Sequence, residues 1–374
     1  MELEYIVKKD EDDIKRILIE ELKISKYQIK RIDEKDILVN NKNQRTYQKV
    51  HKGDLITINL NYYEDNSNIV PNPDIKFEIL YEDDWMLIVN KPKFIPVHPT
   101  MGHYEDSLSN GIKYYYDKIG LNKKIRPVNR LDRNTTGIVI FAKSEYIQNN
   151  LTKYNKEYLA IVEGKLEGSG IINKGISRKK GSIIERCIDN NGKEAITYYE
   201  AIKNYEKIIR NKEIINYKKT FYNEAETNQK NANNNDIIEN INEIVNSQEE
   251  RKINLQEKRK INLQEERNIN SQEKRNINLQ EEKNITSQEE KDCKKVEYTL
   301  VKCILETGRT HQIRVHLASI NHPILGDSLY GKESNLINRQ ALHAYKISFV
   351  HPVTNERIEI TADLPDDMKG LLIT

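Results

Sequence analysis

Cysteine is scarce in this chain of 374 residues: Cys187, Cys293 and Cys303 are an odd, scattered set. No two of them have the short spacing of a zinc or redox motif, which excludes a disulfide framework and fits a reducing compartment. Long apolar runs are also missing. None approaches the length of a bilayer span, and the acidic N-terminus carries no apolar segment of signal length. A cytoplasmic protein without a membrane partner is expected. There is no excess of charge of one sign either. With 60 basic and 58 acidic side chains the net charge is +2, so a nucleic-acid surface must be a local patch. Hydrophobic residues make up 37% and charged residues 32%. That is polar for a globular protein of this length and points to two domains plus a part that buries little.

What is present is organised around residues 126–144. Arg126-Pro127-Val128 reads as extended, because the residue before a proline avoids helix. The chain then turns through Asp132, Arg133, Asn134 and Gly137. It closes as Ile138-Val139-Ile140-Phe141-Ala142, a strand apolar enough to be buried on both faces. Asp132 therefore sits at the lip of a core strand, between Arg130 and Arg133. A turn-capping Asp is the bland interpretation; a polar loop residue set against a rigid strand is also where sites are built.

Arg130-Leu131-Asp132, then Thr135-Thr136-Gly137, then an apolar strand ending in Ala142-Lys143, resembles the catalytic motif of RluA-type pseudouridine synthases. The resemblance implies that Asp132 is the catalytic carboxylate. Asn129 and Thr136 stand where the family usually has His and Ser. Further segments follow in the family's order. Asn90-Lys91-Pro92 and Val97-His98-Pro99 resemble a loop at the entrance of the site. Lys156-Glu157-Tyr158-Leu159-Ala160 resembles the segment whose Tyr, here Tyr158, stacks on the target uracil. Lys193, Ala195 and Thr197 continue it. Thr307-Gly308-Arg309-Thr310-His311-Gln312-Ile313-Arg314 is the most specific match, a turn opening a helix. The resemblance implies that Arg314 pairs with Asp132 as a bidentate guanidinium that fixes the carboxylate's rotamer. It places Lys91, His98, Arg130, Arg309, His311 and Gln312 against RNA. The pairs His98/His103 and His311/His316 lack a third ligand or a shared helix face, so no metal and no cofactor is expected.

Before this region, Ile14, Ile17, Leu18 and Leu22 recur at helical spacing. Ser25 caps a second helix over residues 26–32, whose outer face carries Lys26, Lys30 and Arg31. Strands over 36–40 and 54–60 follow, the second after the turn at Lys52-Gly53. This order resembles the α-L RNA-binding motif shared with small-subunit ribosomal protein four, with Asn41 in place of the usual Gly. Asn also adopts positive φ.

Gln248, Gln256, Gln264, Gln272, Gln280 and Gln288 mark a repeat of eight residues. On a helix each repeat drifts by about 80°, so its isoleucines spiral and form no stripe. With one or two apolar residues per unit no core forms. A tolerated surface insertion is expected, since loop closure entropy grows only logarithmically with length.

The expected division is an RNA-binding domain (1–66), a linker (67–75), a catalytic domain in two parts (76–205 and 296–374) and the repeat insertion (206–295). The expected fold is α+β, a mixed and mostly antiparallel central sheet with flanking helices, preceded by a small α/β RNA-binding domain. The resemblance implies a monomeric RNA pseudouridine synthase acting on structured RNA, with large-subunit ribosomal RNA ahead of transfer RNA. Asp132 serves as nucleophile or as base, and the residues do not choose. Two readings compete: an inactive RNA-binding or ribosome-assembly protein that keeps the fold, and an interaction protein organised by the repeat.

Overall fold

The computed structural model describes residues 1–11, 13–62, 64–210 and 293–373. The octapeptide repeat lies outside the described residues. The chain divides into two compact units, residues 1–205 together with 297–374, and residues 206–296.

Within the first unit, β1 (Glu2–Ile6), β2 (Ile37–Val39), β3 (Lys42–Asn43) and β4 (Leu55–Asn59) form a sheet in the order β1-β4-β2-β3. Strand β4 alternates, with Ile56 and Ile58 fully buried, as a half-solvated strand must. Between β2 and β3 the chain reverses through Asn40 and Asn41, at φ 50 and 63. Both take the left-handed conformation that a two-residue hairpin demands. Helix α1 (Ile14–Glu20) is capped by Asp13, and α2 (Lys26–Ile29) by a reciprocal Ser25–Gln28 box. Helix α2 is shorter than expected. Past Ile29 the amides of Lys30, Arg31 and Ile32 all turn back to the Gln28 carbonyl, which ends the helix.

This small sheet does not stand apart. Ile14, Leu18, Ile56 and Ile58 belong to one buried cluster with Trp85, Tyr146 and Phe349. Residues 64–72 are pinned down as well. Glu64, 1% exposed, takes a two-point grip from Arg126. Asn110 donates to the Val70 carbonyl, and its own carbonyl accepts from Asn72.

The main sheet uses β5 (Glu78–Glu82), β6 (Met86–Lys91), β7 (Arg126–Pro127), β8 (Thr136–Ala142), β9 (Tyr154–Glu163), β10 (Ser169–Asn173), β13 (Ile196–Arg210), β14 (Cys293–Leu305), β15 (Leu342–Val350) and β16 (Arg357–Thr361). Its order is β10-β13-β14-β9-β15-β8-β6-β5, with β16 on β15 and β7 on β8. Of the pairings described, only β15 with β8 is parallel. The expected mixed, mostly antiparallel α+β fold is the one observed. A separate hairpin pairs β11 (Ile176–Arg178) with β12 (Arg186–Ile188). The helices here, among the described residues, are α3 (Leu108–Lys118), α4 (Glu145–Asn150), α5 (Gln312–Ala318) and α6 (Asp366–Lys369).

Strand β8 is buried along its whole length, as its apolar run predicts; each such side chain contributes about 1.5–3 kcal/mol. Gly137 enters it at φ 111 opposite Ala344 of β15, where a Cβ would collide with the Ala344 backbone. Only glycine allows that approach. The sheet's middle therefore presents the Asp132 loop, at the entry to β8, beside Tyr158 on β9.

Candidate active site

The loop that carries Asp132 is fixed from several sides. The Asp132 carbonyl accepts from the Thr135 amide, closing a tight turn. Asn129 reaches across to β8, donating to the Ile138 carbonyl (3.0 Å) and accepting from the Ile140 amide (2.8 Å). The Asn found where the family has His thus serves as a backbone splint. Thr136 donates its hydroxyl to His343 Nδ1 (2.9 Å), whose Nε2 in turn donates to the Ala362 carbonyl (3.1 Å). Burial pushes His343 down to about 4, so it stays neutral and in this one tautomer.

Helix α5 supplies Arg314, which reaches Asp132 through Nη1 to Oδ2 at 3.1 Å. The contact is single, not the bidentate one expected. The guanidinium's two-point pairing goes to Asp327 instead, Nε to Oδ2 and Nη2 to Oδ1, each 2.7 Å. Asp327 is fully buried and also accepts from the Leu329 and Tyr330 amides. Burial works against the charge on Arg314, but Asp327 and then Asp132 outweigh it and raise its pKa.

His311 sits at the N-cap of α5 with φ 60. Its Nε2 lies 3.8 Å from Asp132 Oδ2, and its Nδ1 2.8 Å from the Tyr330 hydroxyl. That hydroxyl accepts from the Arg186 amide at 2.8 Å. The Tyr330 ring also covers the Arg314 guanidinium at 5.1 Å. Burial lowers the His311 pKa, opposed by Asp132 and reinforced by Arg314 and Arg186.

Tyr158 is buried beside Asp132, and its burial, with Tyr154 and Asp132 nearby, raises the phenol pKa so that it stays protonated. A cleft of about 700 Å³ opens over these groups. Arg130, Arg133, Lys156, Arg186 and Arg309 line it, together with His98. Among the described residues Asp132 is its only carboxylate. A chain with little net charge thus concentrates positive charge at one opening, as binding to a polyanion requires.

Seven of the twelve expected site residues, Asp132, Arg314, Tyr158, Arg130, Arg309, His311 and Gln312, meet at one cavity, with His98 on the adjoining cleft wall. Three expectations need correction. Lys91 does not face RNA: it is fully buried and donates to the carbonyls of Pro92, Ile95 and Arg133. Burial, with Arg339 adding to it, lowers it to about 7. Gln312 spends its amide internally, accepting from the Arg309 amide and Thr307 hydroxyl and donating to Ile196 and Thr197. Arg31 turns inward to Glu145 (3.2 Å), Glu64 (3.7 Å) and the face of Tyr62. Lys26 and Lys30 remain exposed. Among the described residues no cluster of side chains is arranged to hold a metal ion.

Sequence reasoning missed Asp327, Tyr330, Arg186 and Lys156 as parts of the site. Asp327 carried a signal, a carboxylate closing the apolar run Ile324-Leu325-Gly326. Arg186 carried none, since it reaches the cleft from the separate β11–β12 hairpin.

Residues 85–319 match the family described as RNA pseudouridylate synthase. An uncharacterized RNA pseudouridine synthase of Bacillus subtilis, YhcT, is 32% identical over 90% of this chain and 84% of its own. Ribosomal large subunit pseudouridine synthase D of Neisseria meningitidis is 26% identical over 91% of this chain and 72% of its own. The solved structure titled human RNA pseudouridylate synthase domain containing 1 is 17% identical, with a TM-score of 0.46, covering 79% of this chain and 86% of that one. With the family matched across most of the chain, and a relative of this identity spanning nearly all of it, the chain belongs to the RNA pseudouridine synthase family, isomerases that act on RNA.

Proposed function

We propose that this enzyme isomerises uridine to pseudouridine in large-subunit ribosomal RNA, with Asp132 as the reacting carboxylate. The observation that carries the reading is the setting of Asp132: a lone carboxylate in a cleft lined by five Lys and Arg side chains, beside the buried ring of Tyr158. The relatives named for the ribosomal large subunit favour that RNA over transfer RNA. The reaction must break the nitrogen–carbon glycosidic bond, turn the uracil and join its carbon to the sugar. A carboxylate can serve it as nucleophile or as base on the sugar. The target must leave its stack, at a cost of about a few kcal/mol, and Tyr158 offers a face on which the extruded uracil stacks. Arg130, Arg309 and His98 at the cleft, and Lys26 and Lys30 on the small N-terminal sheet domain, take RNA phosphates. That small domain works as an RNA-binding module.

The test is Asp132→Asn. Asp132 is partly exposed and makes one ion pair at 3.1 Å, so the amide should fold and bind RNA normally. Pseudouridine formation in transcribed large-subunit RNA should vanish. Retained conversion by the purified variant would remove Asp132 from its role, and an inactive wild type would send the search to other RNAs.

A further inference from the structure

The groups behind Asp132 decide which of its oxygens is free. A backbone amide can only donate, so the Arg186 N–H takes a lone pair of the Tyr330 hydroxyl (2.8 Å). The hydroxyl's own proton is left for its other neighbour, His311 Nδ1, at 2.8 Å. A neutral imidazole that accepts at Nδ1 carries its proton on Nε2. That N–H faces Asp132 Oδ2 at 3.8 Å, a charge–dipole contact too long for a hydrogen bond. Arg314 approaches the same oxygen at 3.1 Å. Among the described residues, nothing bonds Oδ1.

We propose that the chain Arg186–Tyr330–His311 is a tautomer lock. It presents Nε2–H to Asp132, so that His311 and Arg314 together hold Oδ2 and leave Oδ1 as the reacting oxygen. This rests on Asp132 being the reacting carboxylate. It changes His311 from an RNA contact into a positioning residue, and makes Tyr330 the residue that sets it. The opposite tautomer would aim a lone pair at a carboxylate, which repels.

The surroundings agree. Four groups face the ring: Asp132 from the loop before β8, Arg186 from β12, Arg314 from α5, and Asp327 from the loop after α5. Burial with two arginines outweighs the carboxylates and keeps the imidazole neutral. The backbone of His311 is left-handed, at φ 60. A non-glycine residue held there by its side-chain contacts is a recurrent feature of functional sites. The lock also ties the β11–β12 hairpin to the catalytic loop through Arg186, although no catalytic group lies on that hairpin.

The test uses the full chain. Nitrogen NMR of the histidine rings, with His311 identified by its loss in His311→Gln, should show Nε2 protonated and Nδ1 bare without RNA present. Tyr330→Phe keeps the ring over Arg314 and removes only the hydroxyl, so it should mix the two tautomers. On transcribed large-subunit RNA its kcat should fall about tenfold, the worth of one hydrogen bond in a transition state, with KM little changed. His311→Gln, which still carries an N–H donor, should retain more kcat than His311→Ala. A wild-type His311 protonated at Nδ1 would overturn the lock. So would a Tyr330→Phe variant matching wild type in tautomer and kcat, or equal losses in His311→Gln and His311→Ala. An inactive wild type would instead strike at the proposed function, while the RNA-free spectra still decide the tautomer.

Discussion

Asp327 holds Arg314 at two points, with both contacts at 2.7 Å and both partners buried. The pairing explains how a guanidinium can sit beside the carboxylate proposed to react without occupying both of its oxygens. Asp327 balances most of the charge, and only Nη1 is left over for Asp132. A bidentate Arg314–Asp132 pair would engage both carboxylate oxygens, whereas the single contact leaves Oδ1 without a bond among the described residues.

Removing one partner of such a pair strands the other as a buried charge. Asp327→Asn should therefore lower stability by about 3 kcal/mol, read from urea unfolding. Arg314→Lys keeps a positive charge but cannot span two carboxylates. It should lose most activity while costing less stability than Asp327→Asn. Near-normal kcat in Arg314→Lys would show that charge alone, without the fork, is what Asp132 needs.

The apolar strand at 138–142, the turn before it and the glycine at 137 were all legible in the sequence. Hydrophobic period and turn chemistry are local properties. The site residues split along the same line. Asp132 and Arg314 are singled out by the motifs' resemblance to a known family, and the residues alone leave Asp132 as a turn cap. Lys91 lies in such a motif as well, and the resemblance sets it against RNA, yet its ammonium is buried and donates to three carbonyls. Sequence shows that a lysine is present but not which way it turns. Arg31 failed for a different reason. Its position on a basic helix suggested solvent, and the partner that claims it, Glu145, is 114 positions away. Arg186 and Tyr330 meet only because α5 and the β11–β12 hairpin pack together, a long-range fact without a local pattern.

His343 gives a pH dependence of known sign. Its folded pKa is about 4, below the ordinary 6.5, so it binds no proton in the fold between those values while the unfolded chain does. Stability should thus be fully present above pH 6.5 and fall as pH drops toward 4, by up to about 3 kcal/mol. Denaturant midpoints across that window for wild type and His343→Gln should differ in slope. Parallel curves would mean that His343 is protonated in the fold and that Thr136 has a different partner.

The exposed lysines of α2 test the RNA-binding role proposed for the small sheet. Removing residues 1–66 is a poor experiment, because it strips Glu64 from Arg126 and uncovers Trp85. Lys26→Gln with Lys30→Gln leaves the fold alone. If each contacts a phosphate, the slope of log affinity against log salt should shrink by about one per contact. An unchanged slope would make this face an ordinary solvated one.

Residues 206–295 should be dispensable for the fold and for turnover. Strands β13 and β14 are neighbours in the sheet. Within them Tyr205 and Tyr298 stack with rings nearly parallel, centroids 5.9 Å apart. The Thr299 hydroxyl bonds Asn204 and the Gly164 carbonyl just beside them. The two ends of the segment are therefore already brought together by contacts that do not involve it. Joining Tyr205 to Val296 with a short Gly/Ser linker closes a smaller loop, and closure entropy favours the shorter one. The octapeptides alternate charge sign, so they offer no continuous basic track for RNA. The deletion variant should keep its melting temperature or gain slightly, with kcat and KM on large-subunit RNA close to wild type. A variant that folds but loses RNA affinity would make the repeat part of the substrate-binding surface and not a tolerated insertion.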